Sequence, residues 1–103
     1  MTIHFNDTEY ELFATQYAEN GALAVIGETD EGERDVFTVN IFPDSQWLPS
    51  DEACIDTNNH PGIGHALIEA GIAEMTNKEF GSGFCIYPVM KFNVSKLNSK
   101  KED

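Results

Sequence analysis

Over residues 2–42 the chain alternates apolar and polar side chains in short runs, and each run stops at a turn signal. A period of two suits a strand with one buried face and does not suit a helix. Ile3 and Phe5 alternate with Thr2, His4 and Asn6, and Asn6-Asp7-Thr8 then turns the chain. Over 9–17, Tyr10, Leu12 and Ala14 fall on one face and Glu9, Glu11 and Phe13 on the other. Two such runs across a short polar link predict a hairpin. Asn20-Gly21 marks the next turn. Residues 22–26 are almost wholly apolar, which predicts a strand buried on both faces near the middle of a sheet. Residues 28–35, ETDEGERD, form a polar turn around Gly32, and 36–42 alternate again until Pro43, which has no amide hydrogen for a ladder.

Past a loop at 43–51, pinned by Trp47 and Leu48, residues 52–57 are short and strand-like. The period then changes. Ile63, Ala66, Leu67 and Ala70 are spaced by three and four, which predicts a short amphipathic helix over 61–72. Asn58 and Asn59 precede it, Pro61 stands in its first turn and Gly71 at its end. Residues 73–83 read as linker, and 84–94 return to strand with Phe84 and Tyr87 at core and rim. The expected fold class is α+β: an antiparallel sheet of about five to six strands with one short helix packed on one face. A chain of 103 residues is expected to be one domain, here 1–94, followed by a flexible lysine-rich polar tail at 95–103.

Charge limits the partners. Residues 1–77 hold fifteen acidic side chains and one basic one, Arg34, while 78–103 carry a net +2, for a total of −12. Such a surface repels nucleic acid and anionic membranes and speeds association with basic proteins. No apolar run is long enough for a membrane span and no secretory signal is visible, so the expected location is the cytoplasm. There Cys54 and Cys85 are expected reduced.

The residue types of a zinc site are present in Cys54, His60, His65 and Cys85, but not the close pairs that structural zinc sites use. Cys85 or Cys54 with His60 or His65 and Asp56 could instead form a small Cys/His hydrolase, although no local motif supports an activated thiolate. The expectation is therefore no catalytic residue, no metal and no cofactor.

The carboxylates are the remaining candidates. Glu28, Asp30, Glu31, Glu33 and Asp35 crowd one turn, and Asp44, Asp51 and Glu52 surround the loop that carries Trp47. Carboxylates spaced along a rigid sheet can imitate the phosphates that a Lys/Arg groove expects. The bland alternative is a solvated surface that maintains solubility.

Asn20-Gly-Ala-Leu-Ala24, Phe37-Thr-Val-Asn-Ile41, Asp56-Thr-Asn-Asn59 and Ser82-Gly-Phe-Cys-Ile-Tyr-Pro88 together resemble a family of small proteins carried by bacterial plasmids, conjugative elements and phages. The resemblance implies an anti-defence context, including anti-CRISPR and anti-restriction proteins, and supplies no catalytic residues. The expected function is a non-enzymatic inhibitor that occupies the basic groove of a nucleic-acid-binding defence protein, a CRISPR effector or a restriction enzyme. The alternative is an accessory protein of a mobile element that forms a homodimer through a sheet edge.

Overall fold

The computed structural model describes residues 1–41 and 48–99, and these form two sheets rather than the single sheet expected. In the first sheet β1 (Thr2–Phe5) and β2 (Thr8–Gln16) pair antiparallel. The turn between them places Asn6 and Asp7 at φ 52° and 60°. Two-residue hairpin turns require such angles, and Asn and Asp tolerate them. β3 (Leu23–Glu28) pairs with β2, and β4 (Arg34–Val36) with β3. As its apolar run predicts, β3 lies inside the sheet, with Leu23, Ala24, Val25 and Ile26 all buried.

The second sheet has the order β5 (Thr38–Val39), β6 (Glu52–Ile55), β8 (Cys85–Phe92), β7 (Ala73–Ser82), antiparallel throughout. One residue, Phe37, carries the chain from β4 in one sheet to β5 in the other. Its N–H donates to Val25 O at 2.9 Å, and its carbonyl accepts from Asp56 N–H at 2.9 Å. The strand expected over 36–42 therefore bends at Phe37. Alternation fails at that corner, where Phe37 and Thr38 are both buried.

The core fills the space between the sheets: Ile3, Phe5, Tyr10, Leu12, Val25, Phe37, Ile55, Met90 and Phe92 all belong to it. Tyr10 and Phe37 meet edge to face with ring centroids 5.2 Å apart, and Phe5 meets Phe37 in the same way at 6.0 Å. The helix α1 (Ile63–Glu69) is shorter than its sequence pattern suggests, but buries Ile63 and Leu67 as the spacing predicts, with Ala70 packed beside them. Gly71 follows it at φ 72°, the left-handed conformation common just beyond a helix.

Two further expectations are corrected. Residues 73–83 are not linker, because β7 occupies all ten positions from 73 to 82. The segment from 95 is not a loose tail as far as residue 99. After a 3-10 turn (Val94–Lys96), Leu97 enters the core and β9 (Asn98–Ser99) pairs with β2 at Phe13 and Ala14. That pairing is parallel, and it fills the edge of β2 beyond the end of β1. No helix among the described residues is long and apolar enough to cross a membrane.

Candidate functional site

The acidic turn joins β3 to β4, and its backbone is braced from within. Thr29 N–H donates to Glu33 O at 2.9 Å, Gly32 N–H to Thr29 O at 3.0 Å, and Glu33 N–H to Thr29 Oγ1 at 3.1 Å. Gly32 sits at φ 87°, a conformation that disfavours other residues. The five carboxylates are not equivalent. Glu28 and Arg34 face each other across the strands, and Glu28 Oε2 accepts from Arg34 Nη2 at 3.1 Å and Nε at 3.2 Å. Asp35 points toward the core rim, where its Oδ2 accepts the Tyr10 phenol at 2.8 Å. Burial, and then this bond, hold the Tyr10 phenol above its ordinary pKa of 10.0. Asp30, Glu31 and Glu33 are exposed at the tip of the turn.

The second group of predicted carboxylates does not join the first. Glu52 opens β6, its side chain is mostly buried, and its carboxylate pairs with the ammonium of Lys78. Asp51 is half-buried. Its carbonyl accepts Phe92 N–H at 2.7 Å, and it borders an open cleft of about 630 Å³ with Glu74, Lys91, Asn93 and Ser95. Since Val39 pairs with Cys54, and Arg34 with Glu28, Glu52 and the acidic turn lie toward opposite ends of the bent β4–β5 strand. Asp44 and Trp47 lie outside the described residues.

The Cys and His candidates are also dispersed. Cys54 is buried in β6, and burial pushes its thiol up to about 11, away from thiolate chemistry. His60 packs its ring edge to face on Phe37 at 5.0 Å and on Phe5 at 6.4 Å. His65 stands exposed on α1 beside Glu69, at 3.0 Å. Asp56 is a local capping residue: Oδ1 accepts Asn59 N–H at 3.2 Å and Oδ2 accepts Asn59 Nδ2 at 2.8 Å. Cys85 is half-buried at the start of β8, opposite Ser82. Both cysteines are free. Among the described residues no three His, Cys, Asp or Glu side chains are grouped to hold a metal ion.

The sequence reading missed one surface feature. β6 pairs with β8 at Val89, Met90 and Lys91, while β7 continues alongside β8 to Ser82 and Cys85. The distal hairpin therefore projects beyond the sheet as a two-stranded arm. A bulge marks its base between Met75 and Glu79, with Asn77 at φ 66° and Thr76 Oγ1 donating to Val89 O at 2.9 Å. Gly83, at φ 63°, turns the tip. Phe84, expected in the core, is fully exposed there at 109%, and Ile86 is 61% exposed. The usable signal was Gly81-Ser82-Gly83: glycines between two strand-like runs mark a hairpin tip as readily as the start of a buried strand.

A family model for a domain of unknown function, DUF4313, matches residues 11–103. The chain belongs to that family. No curated protein and no solved structure matches it. The matched stretch begins within β2 and takes in the acidic turn, the helix and the projecting arm.

Proposed function

We propose that this protein is a non-enzymatic acidic binding protein of a mobile genetic element. It inhibits a nucleic-acid-binding host defence protein, a CRISPR effector or a restriction enzyme, by occupying its basic groove. One observation carries the reading: Asp30, Glu31 and Glu33 stand exposed on a turn whose backbone is cross-braced at Thr29 and Gly32. Negative charge on a pre-organised loop meets a Lys/Arg groove without first losing loop entropy. The net charge of −12 speeds the encounter. The mobile-element context rests on the sequence resemblance and the groove on charge complementarity. Glu28 and Asp35 have internal partners and support the turn; Asp51 and Glu52 lie elsewhere and form no part of this contact.

The test is inhibition of DNA binding by a purified effector, read by gel shift at rising salt. Wild-type protein should displace duplex DNA, and the inhibition should weaken as salt screens the exposed charges. Reversing Asp30, Glu31 and Glu33 to lysine should abolish inhibition, while reversing Glu69 and Glu74 should not. Equal behaviour of the two variants, or inhibition that ignores salt, would show that the turn does not act as a phosphate mimic.

A further inference from the structure

We infer that the outer edge of β4 docks an extended basic segment of a partner protein, one in which apolar residues alternate with lysine or arginine. Three observations lead there. First, the edge is open. β4 ends its sheet, and among the described residues β3 is the one strand that pairs with it. The phase of that ladder is fixed at both ends, where Phe37 N–H donates to Val25 O and Thr29 N–H to Glu33 O, each at 2.9 Å. Antiparallel partners alternate between bonded and non-bonded pairs. Glu33, Asp35 and Phe37 are therefore bonded toward β3, while Arg34 and Val36 turn their N–H and C=O groups outward. Among the described residues none of these outward groups has a hydrogen-bond partner. Exposed edges of this kind recruit further strands.

Second, charge selects the occupant. Side chains alternate along a strand, so Glu33 and Asp35 lie on one face and Arg34 and Val36 on the other. Glu33 is exposed; Asp35 is half-buried, and its Oδ2 accepts Tyr10, leaving Oδ1 for a further donor. The cation of this strand, Arg34, is already matched by Glu28. Residues directly opposite in a ladder share a face, and opposite charges there attract. Lysines opposite Asp35 and Glu33 thus meet carboxylates, while uncharged residues between them fall opposite Val36 and Arg34. A second copy of this chain brings a net −12 and a nucleic acid its phosphates, and the carboxylates repel both.

Third, the apolar positions of such a segment have a place to pack. Val36 is 41% exposed. On its face lies a hollow of about 250 Å³, with the buried Ala24 and Ile26 at its floor and Thr15, Tyr17 and Arg34 around it. An apolar side chain opposite Val36 covers it and leans into this hollow. Strand addition draws affinity from main-chain bonds and specificity from pockets for alternate side chains, and this edge offers both. The inference goes beyond the groove-blocking reading and does not rest on it, because an extended segment of any protein suffices.

Titration of the full chain into a labelled, end-blocked peptide of alternating lysine and valine, read by fluorescence anisotropy, tests it. Saturable binding should appear and should weaken as salt rises. N-methylation of the valine amides, which face Arg34 and Val36 in this register, should weaken binding by at least about tenfold, whereas N-methylation of the lysine amides on the far edge should change it by less than about twofold. Glu33→Lys should weaken binding by about tenfold with the circular dichroism unchanged. Hydrogen exchange of the unaltered chain, read by NMR, gives a second readout: the amides of Arg34 and Val36 should gain protection when the peptide is bound. No saturable binding up to about 1 mM peptide overturns the inference. So do equal effects of the two methylations, which would mean charge attraction without a ladder, or added protection that leaves out Arg34 and Val36.

Discussion

Tyr10 reaches across from β2 and donates its phenolic hydrogen to Asp35, 2.8 Å away on β4. That bond changes the role of a carboxylate that sequence alone groups with the acidic turn. Asp35 is a structural acceptor at the rim of the core, beneath exposed carboxylates that have no such duty. The same ring packs on Phe37 with an interplanar angle of 86°, so the turn is tied to the corner where the sheets meet.

Gly27 makes that packing possible. A Cβ at this position would lie 2.5 Å from Phe37 Cε2 and 2.9 Å from Tyr10 Cδ1. Both rings are held in the core, so neither can withdraw cheaply. Gly27→Ala should destabilise the fold by about 1–3 kcal/mol through overpacking, despite the better strand propensity of alanine. A urea titration with an unchanged slope and a lower midpoint would bear this out.

Stability should fall in alkali. Burial raises the phenols of Tyr10 and Tyr17 above 10.0 and pushes the Cys54 thiol from 9.0 up to about 11. The unfolded chain therefore releases these protons at lower pH than the folded one. The stabilisation is complete below about pH 9 and is lost as pH rises through the folded values, since the native state binds more protons in that window. Urea midpoints at about pH 8 and about pH 10.5 should differ, and Cys54→Val should reduce the difference. An unchanged midpoint would contradict the burial of all three groups.

Leu97 should matter more than its place near the end of the sequence suggests. It is only 8% exposed and belongs to the main core, and β9 follows it directly. Leu97→Ala should cost about 2–3 kcal/mol, at the lower end for buried leucines because the site is peripheral. Thermal unfolding should shift down by several degrees. An unshifted curve would mean that the segment after Phe92 does not pack as described.

The sequence was most legible where one physical signal acted alone. Alternation assigned Tyr10 and Leu12 to the core and Glu9 and Glu11 to the outer face, as they are in β2. The unbroken apolar run located β3 inside its sheet. Spacing by three and four found Ile63 and Leu67 on the helix. The failures came where tertiary context decides. Nothing local distinguishes a straight strand from one that changes sheet at Phe37. The ladder of β7 carries Glu74, Asn77, Lys78 and Glu79, whose polarity reads as linker because the strand lies at an edge and exposes most of its residues. Glu28 and Arg34 are six residues apart, so their pairing depends on a strand register that composition does not encode. The candidate site was legible as a cluster, but the split between braced and exposed carboxylates was not.

Phe37 also bears on how the molecule comes apart. Its amide is bonded into one sheet, its carbonyl to the chain beside the other, and its ring lies in the core between them. Opening either sheet at this corner strips a hydrogen bond and buried aromatic surface from both. The two halves are therefore mechanically one cooperative unit: amides near Val25 and near Asp56 should become accessible to solvent in the same opening event, with a common free energy, rather than one sheet loosening while the other remains closed.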